Sequence, residues 1–382
     1  MAALIEPSLA AALDRKMALR GKVEYTPSDV SLIAEQLNRF LTAQIGQGFE
    51  VRNLNALSGG ASMEQYVFDL YRPNADRQLV KMILRMSPLC SVIETCRLRE
   101  FQIIRAVAGV LPVPEAFWVS DSDEYFGRPA LICSFNPGVA SPKDGGGKAT
   151  GLGTVYGKHR EKLAPQYVRH LAALHTMDWR DKDLSALVIP REGTSDAVDW
   201  SLAHWGRVWD EDAVEAHPTI ALAQAWLWRN RPVVDHISLV HGDYRNGNFL
   251  FDENTDEITA ILDWEAGYLG DRHMDLAYAM LPGYGTLEGG TYYCAGLVEK
   301  NAFIEEYTRL SGLSVDPERL RYYTVLNMYW AIIACCATGP KLAADRMTHL
   351  DTMMNIVPGL GFYFVNELNA ILLEEQQHDA DG

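Results

Sequence analysis

The segment 239-LVHGDYRNGNFLF-251 constrains the fold more than any other stretch of the chain. Apolar residues at its two ends mark buried strands. The eight residues between them include His241, Asp243, Arg245, Asn246 and Asn248. A second apolar run, 258-ITAILDWE-265, follows the polar turn DENTDE. Two apolar strands joined by a polar turn read as a hairpin. Its open ends lie side by side, so Asp243 and Asn248, entering, converge with Asp263 and Glu265, leaving. A polar cluster on a rigid buried scaffold is the usual setting for catalytic groups. A merely solvated turn needs neither His-Gly-Asp and Asn at fixed offsets nor Asp-Trp-Glu at the adjoining strand end.

Phosphoryl transfer calls for this pattern. One Asp orients an attacking hydroxyl and accepts its proton. An Asn five residues on and a second Asp at a strand end offer hard oxygen ligands to magnesium, which neutralises triphosphate charge. The Asp-x4-Asn spacing followed by a metal-binding Asp is the general kinase pattern.

The front of the chain supplies a complementary pair. A helix is expected over 91–109, with Ile93, Cys96, Ile104 and Val107 on its apolar face and Glu100 among them. A carboxylate facing a core needs a cation. The strand-like run 78–86 follows 65–71 across the turn RPNAD as a hairpin. Leu79, Lys81, Ile83 and Arg85 share one of its faces by period two, the two bases about 13 Å apart. Arg85 is the expected partner of Glu100, with Lys81 the second choice.

The remaining text sets the frame. A chain of 382 residues is long enough for two or three lobes. Its formal charge of −16 disfavours a nucleic-acid surface. Six cysteines, none in a CxxC pair, fit a reduced cytoplasm. The N-terminus lacks the pattern of a signal peptide. No run reaches the roughly 18 apolar residues of a membrane span, and 325–337 reads as a buried helix. Residues 6–45 read as helical, through Leu32, Ile33, Leu37, Phe40 and Leu41. A short buried strand lies in 129–138, and a helix over 165–179 opens on Pro165 in its first turn. The segment 143–158 has six glycines in sixteen residues and is a loop; Pro142 and Ala149 stand where a Walker A motif needs Gly and Ser or Thr. Trp200, Trp205, Trp209, Trp226 and Trp228 read as core residues. Asp210, Glu211, Asp212 and Glu215 read as a solvated face. The expected division is a helical extension (1–45), an N-lobe (46–136) and a C-lobe (137–382).

The motifs HGDYRNGN, ILDWE and GDRHMDLAYAM, with ILRMSP, REF, PALICSFNPG and LAALHTMDW before them in order, resemble the aminoglycoside phosphotransferase-like kinase family over about residues 50–380. The likeness is to the branch that includes kinase-like domains fused to acyl-CoA dehydrogenases. It implies an α+β, protein-kinase-like bilobal fold: an antiparallel-sheet N-lobe with one main helix, a mostly helical C-lobe, and an ATP cleft between them. It implies that Asp243 is the catalytic base and that Asn248 and Asp263 bind magnesium. His241 braces the loop, Arg245 pairs with a carboxylate or a phosphate, and Asp271 and Asp275 are structural. Glu265 reaches a second metal or the substrate, or caps the next segment. The resemblance puts the strand base at Arg85, before Met-Ser-Pro. It lays Ser58, Gly59, Gly60, Ala61 and Ser62 over the phosphates, although a plain turn fits that text equally. It sets Cys133, Ser134 and Phe135 at the lobe linker beside adenine. The acceptor is a small-molecule hydroxyl, with its pocket drawn from Asp199 to Trp228 and the C-terminal segment. A bulky, partly apolar alcohol or hydroxyacyl thioester suits the tryptophans. The alternatives are a catalytically silent nucleotide-binding module and an aminoglycoside kinase. Without Asp-Phe-Gly or Ala-Pro-Glu text after Asp263, a protein kinase is disfavoured.

Overall fold

The front sheet follows from simple alternation. Tyr66, Phe68 and Leu70 of strand β2 (Glu64–Tyr71) point to one side, with Met82, Leu84 and Met86 of β3 (Leu79–Met86) beside them. In this computed structural model, residues 4–57, 63–145, 152–347 and 357–381 are described, with side chains through 374. β1 (Glu50–Leu57), β4 (Ala116–Ser120) and β5 (Ala130–Ser134) complete an antiparallel sheet in the order β1-β2-β3-β5-β4. The hairpin expected at 65–71 and 78–86 is present. Neither β1 nor β4 carries a clear alternating pattern, since both lie at the sheet edges and are half exposed.

The helical extension is two helices. α1 (Pro7–Leu19) begins on its proline, and α2 (Val30–Ile45) is capped by Asp29, whose carboxylate accepts from the Ser31 N–H. Gly21 (φ +71°) and Pro27 lie in the chain between them. α2 lays Ile33, Leu37, Phe40 and Leu41 onto the apolar side of the sheet; Leu32 is exposed.

On the opposite side, α3 (Arg97–Val107) packs against β4 and β5, and its Ile103 and Ile104 join the large core of the back lobe. It starts six residues later than the sequence suggests. Residues 91–96 are held by local side-chain bonds that compete with a helix: Glu94 accepts from the Ser91 N–H, and Arg97 reaches back to Thr95.

The back lobe contains α4 (Arg160–Thr176), α5 (Asp196–Asp212) and α6 (Pro218–Arg229), then strand β6 (Ile237–Val240). Pro165 sits inside α4 rather than in its first turn, where its missing N–H forgoes the bond to the Glu161 carbonyl. The hairpin β7 (Phe249–Asp252) and β8 (Glu257–Ile261) forms as expected, and β9 (Tyr268–Asp271) returns to pair with β6. α7 (His273–Ala279), α8 (Lys300–Ser311), α9 (Pro317–Ile332), α10 (Gly339–Ala344) and α11 (Val357–Asp381) follow. The apolar run at 325–337 is the buried second half of α9 and its continuation, with Asn327 satisfied by the Met274 carbonyl and the Trp330 indole N–H. Among the described residues, no helix is long and apolar enough to cross a membrane.

α1 straps the two lobes together. Lys16 and Arg20 pair with the buried Asp212 at the end of α5, which also accepts from Thr338. Glu6, just before α1, holds Arg99 of α3 at 2.6 Å. The acidic run 210–215 is therefore not simply a solvated face, because Asp212 is sealed and Glu211 is held by Arg207. Burial raises the Asp212 carboxyl, but Lys16, Arg20 and Thr338 outweigh it and hold the group below its ordinary range. A depressed carboxyl stabilises above its unfolded pKa, and the contribution is lost as pH falls through the folded value. Asp212→Ala leaves Lys16 buried without its partner. It should lower stability at pH 7 by about 3–5 kcal/mol, read as a fall in the urea midpoint. The gap from the wild type should narrow below about pH 4.

Candidate active site

The loop between β6 and β7 is fixed by one buried carboxylate. Asp275 of α7 accepts the N–H of His241 and of Gly242, each at 2.8 Å, and takes a third bond from His175 at 3.1 Å. Gly242 is left-handed (φ +81°), and a Cβ there would stand 2.5 Å from the Ala266 carbonyl oxygen. Only glycine lets the loop lie this close to the turn after Asp263. The His241 ring bonds the Leu262 carbonyl through Nε2 (2.9 Å) and accepts the Asp243 N–H at Nδ1 (3.2 Å). Those partners require the proton on Nε2. His241 thus ties the loop to the strand end across the hairpin.

Asp243 projects from this braced loop. Arg245 Nε donates to its Oδ1 at 2.9 Å and Asn248 Nδ2 to its Oδ2 at 2.6 Å. Arg245 also lies over the Tyr284 ring, 4.9 Å from its centroid. With its amide nitrogen on Asp243, Asn248 has its carbonyl oxygen turned the other way. The Leu262 N–H donates to the Asn248 carbonyl at 2.8 Å, so Asp263 stands one residue from the Asn248 backbone. Asp263 is itself left-handed (φ +60°, ψ +52°), which is uncommon for a residue with a side chain.

From Asp263 a run of alternating charges crosses into the front lobe. Arg85 Nη2 meets Asp263 Oδ1 at 2.8 Å, and its Nη1 meets Glu100 Oε1 at 3.1 Å. Arg97 pairs with the other Glu100 oxygen and with Glu265 at 3.1 Å. Burial opposes the Arg85 charge, but Glu100 and Asp263 outweigh it and raise the guanidinium above its ordinary value. Burial pushes Glu265 up against the pull of Arg97, with Glu100 and Asp263 adding to the rise.

The expected residues therefore divide. Asp243, Arg245, Asn248, Asp263, Arg85, Glu100, His241, Glu265 and Asp275 come together. Lys81 does not reach Glu100; its ammonium sits over the Phe135 ring at 4.4 Å, toward the outer end of the strand. Glu265 serves as the Arg97 counter-ion, the partner that neither capping nor substrate contact anticipates. Cys133 is buried near Arg85, with burial pushing its thiol up to about 12. The N–H groups of Ser134 and Phe135 are engaged by the carbonyls of Glu115 and Lys81. Ser58, Gly59, Gly60 and Ser62 lie outside the described residues. Sequence reasoning missed Arg97, although an arginine three residues before a core-facing glutamate on a helix is a visible signal. It also missed His175, which nothing local distinguishes.

The donor set fits magnesium better than a metal held by protein alone. Among the described residues, no group of three or more His, Cys, Asp or Glu is placed to hold an ion. The cleft presents an amide oxygen, from Asn248, and the half-exposed Asp263 carboxylate. Magnesium is typically held by one or two carboxylates, with phosphate oxygens and water completing its shell.

The chain matches the model of a family described as the phosphotransferase enzyme family over residues 53–323. It is 28% identical over 213 residues to mouse acyl-CoA dehydrogenase family member 10, covering 55% of this chain and 19% of that protein. It is 23% identical over 337 residues to the probable acyl-CoA dehydrogenase IBR3 of Arabidopsis thaliana, covering 80% and 37%. The chain thus spans well under half the length of these two relatives. Among solved structures, a putative aminoglycoside phosphotransferase from Ralstonia eutropha superposes with a TM-score of 0.60 at 19% identity, covering 87% of this chain and 98% of that one. A thermostable mutant of APH(4)-Ia, in a ternary complex with ADP and hygromycin B, gives 0.53 at 18% identity, covering 88% and 98%. With most of its length matched and the kinase-like α+β architecture in place, this chain belongs to the phosphotransferase enzyme family.

Proposed function

We propose that the chain is an ATP- and magnesium-dependent phosphotransferase that moves a γ-phosphoryl group to a hydroxyl of a small molecule. The observation that carries this reading is the joint placement of Asn248 and Asp263, linked through the Leu262 N–H, beside Asp243. Asp243 accepts the proton of the acceptor hydroxyl, and Arg245 and Asn248 fix the orientation of its carboxylate. Arg85, held between Glu100 and Asp263, sets a permanent positive charge beside the phosphates. Asn248 and Asp263 are the residues that would hold magnesium. When bound, that ion neutralises triphosphate charge. Residues 46–136 form the nucleotide lobe in this reading, and 137–382 the catalytic lobe. The six unpaired cysteines suit a reducing cytoplasm.

The acceptor class is a partly apolar alcohol rather than a polycation. An aminoglycoside site needs free carboxylates, and in the run 210–215 Asp212 and Glu211 are already paired. The short match to hygromycin-B 4-O-kinase of Escherichia coli, 37% identical over 81 residues, keeps aminoglycosides among the molecules to be screened.

Two outcomes test the site. Millimolar magnesium-ATP should raise the melting temperature, and Asp263→Ala should abolish that rise; an unshifted wild type would remove the nucleotide reading. Asp243→Asn should keep the nucleotide shift while turnover falls about 10²–10⁴-fold, measured as ADP release in a screen of hydroxyacyl thioesters, other alcohols and aminoglycosides. Retained turnover in Asp243→Asn would reassign the base, and the absence of ADP release with every acceptor would favour a silent nucleotide-binding module.

A further inference from the structure

The tryptophan-rich run surrounds a cavity that the phosphotransfer residues do not use. Ala197, Trp200, Ser201, His204 and Trp205 follow the i, i+3, i+4, i+7, i+8 spacing of one helix face on α5, and all five line a space of about 90 Å³. The chain leading into α3, the turn at 265–267 and Gly242 form the opposite wall, and Leu9 of α1 helps close it. Asp243, Asn248, Asp263 and Arg85 are not among the lining residues. A water needs roughly 10–15 Å³ on this scale, so the cavity takes one ring-sized group. Its aromatic wall is ready for one: Trp205 stacks on Trp330 at 5.3 Å.

Two polar groups stand in this apolar space without full partners. His204 is 6% exposed, and its Nδ1 is sealed without a hydrogen-bond partner among the described residues. Glu94, 8% exposed, takes one bond from the Ser91 N–H and makes no ion pair among the described residues. Leaving such groups unpaired is costly. Burial pushes the Glu94 carboxyl up to about 7 and the His204 ring down to about 3, so the imidazole is neutral at pH 7. Lys16, Arg99 and Arg207 also oppose a positive charge on His204.

We propose that this cavity is an effector site for a small neutral ring-bearing molecule of the phenol or indole type, its polar hydrogen taken by His204 or Glu94. The cavity touches the phosphotransfer centre at two points. Gly242 precedes Asp243 in the braced loop, and Glu265 is the counter-ion of Arg97. A third route runs through the wall. Trp330 stacks on Tyr278 at 5.5 Å, the Tyr278 and Tyr284 hydroxyls share a hydrogen bond, and Arg245 lies over Tyr284. Occupancy of the cavity therefore bears on both ends of the centre. The effector part rests on the nucleotide reading above; binding in the cavity does not.

Titrating the whole chain with p-cresol and with toluene, followed by tryptophan fluorescence and calorimetry, tests the proposal. One p-cresol should bind, and saturating p-cresol should change the magnesium-ATP dissociation constant at least twofold. Ser201→Phe, which fills the space, should weaken p-cresol at least tenfold while the magnesium-ATP melting shift persists. His204→Phe should weaken p-cresol more than toluene, and it keeps the polar contact testable if the filled variant does not fold. No p-cresol binding at millimolar concentration, equal binding by both variants, or an unchanged nucleotide constant at saturation overturns the effector site. Phosphorylation of p-cresol by magnesium-ATP also overturns it, since the cavity would then be part of the acceptor pocket. If the wild type binds p-cresol but shows no magnesium-ATP shift, the nucleotide reading fails and the cavity stands as a ligand site only.

Discussion

The run Asp263–Arg85–Glu100–Arg97–Glu265 joins two lobes that otherwise have separate architectures. Taking each ion out of water costs several kcal/mol, and attraction offsets that only when every partner is in position. Glu100 and Arg97 are fully enclosed, so neither tolerates the loss of its neighbours. The strand end at Arg85, the first turn of α3 and the turn at Asp263 must therefore assemble together. Three carboxylates face two guanidinium groups along this run, which leaves negative charge at its exposed end, Asp263.

The same economy of partners appears behind the loop. Asp275 holds the His241 and Gly242 amides and is itself steadied by His175, which bonds the Tyr307 hydroxyl. The loop that carries Asp243 is thus fixed from α7, α4 and α8 at once. In front, α1 contributes Glu6 to Arg99, one residue from Glu100, while its other end is anchored on Asp212. The N-terminal strap thus ties α3 to α5 beside the cavity.

The layout of the candidate site was legible because it is carried by short segments. His241, Asp243, Asn248 and Asp263 fall within one strand–loop–hairpin unit, whose geometry follows from alternating apolar residues and a polar turn. The Arg85–Glu100 pair was legible for a related reason: period 3.6 on the helix turns Glu100 inward, and period two on the strand turns two bases, Lys81 and Arg85, toward it as candidate partners. Arg85 prevailed over Lys81 because it lies four residues deeper toward Asp263, while Lys81 lies at the outer end over Phe135. The start of α3 was misread because apolar spacing does not register side-chain bonds such as Ser91 to Glu94.

The sequence by itself determined the two-strand unit that brings the metal-ligating candidates together, the sign of the charge facing them, and the family. Tertiary structure alone decided that Arg97 links Glu100 to Glu265, that α2 covers the front sheet while α1 straps the two lobes, and that one face of α5 lines a cavity instead of filling a core. The reason is range. Residue periodicity states which side of an element is apolar, over about two turns or one strand. It does not state which distant element covers that side. Glu6 meets Arg99 across 93 residues and Lys16 meets Asp212 across 196, and only the packed chain chooses such partners.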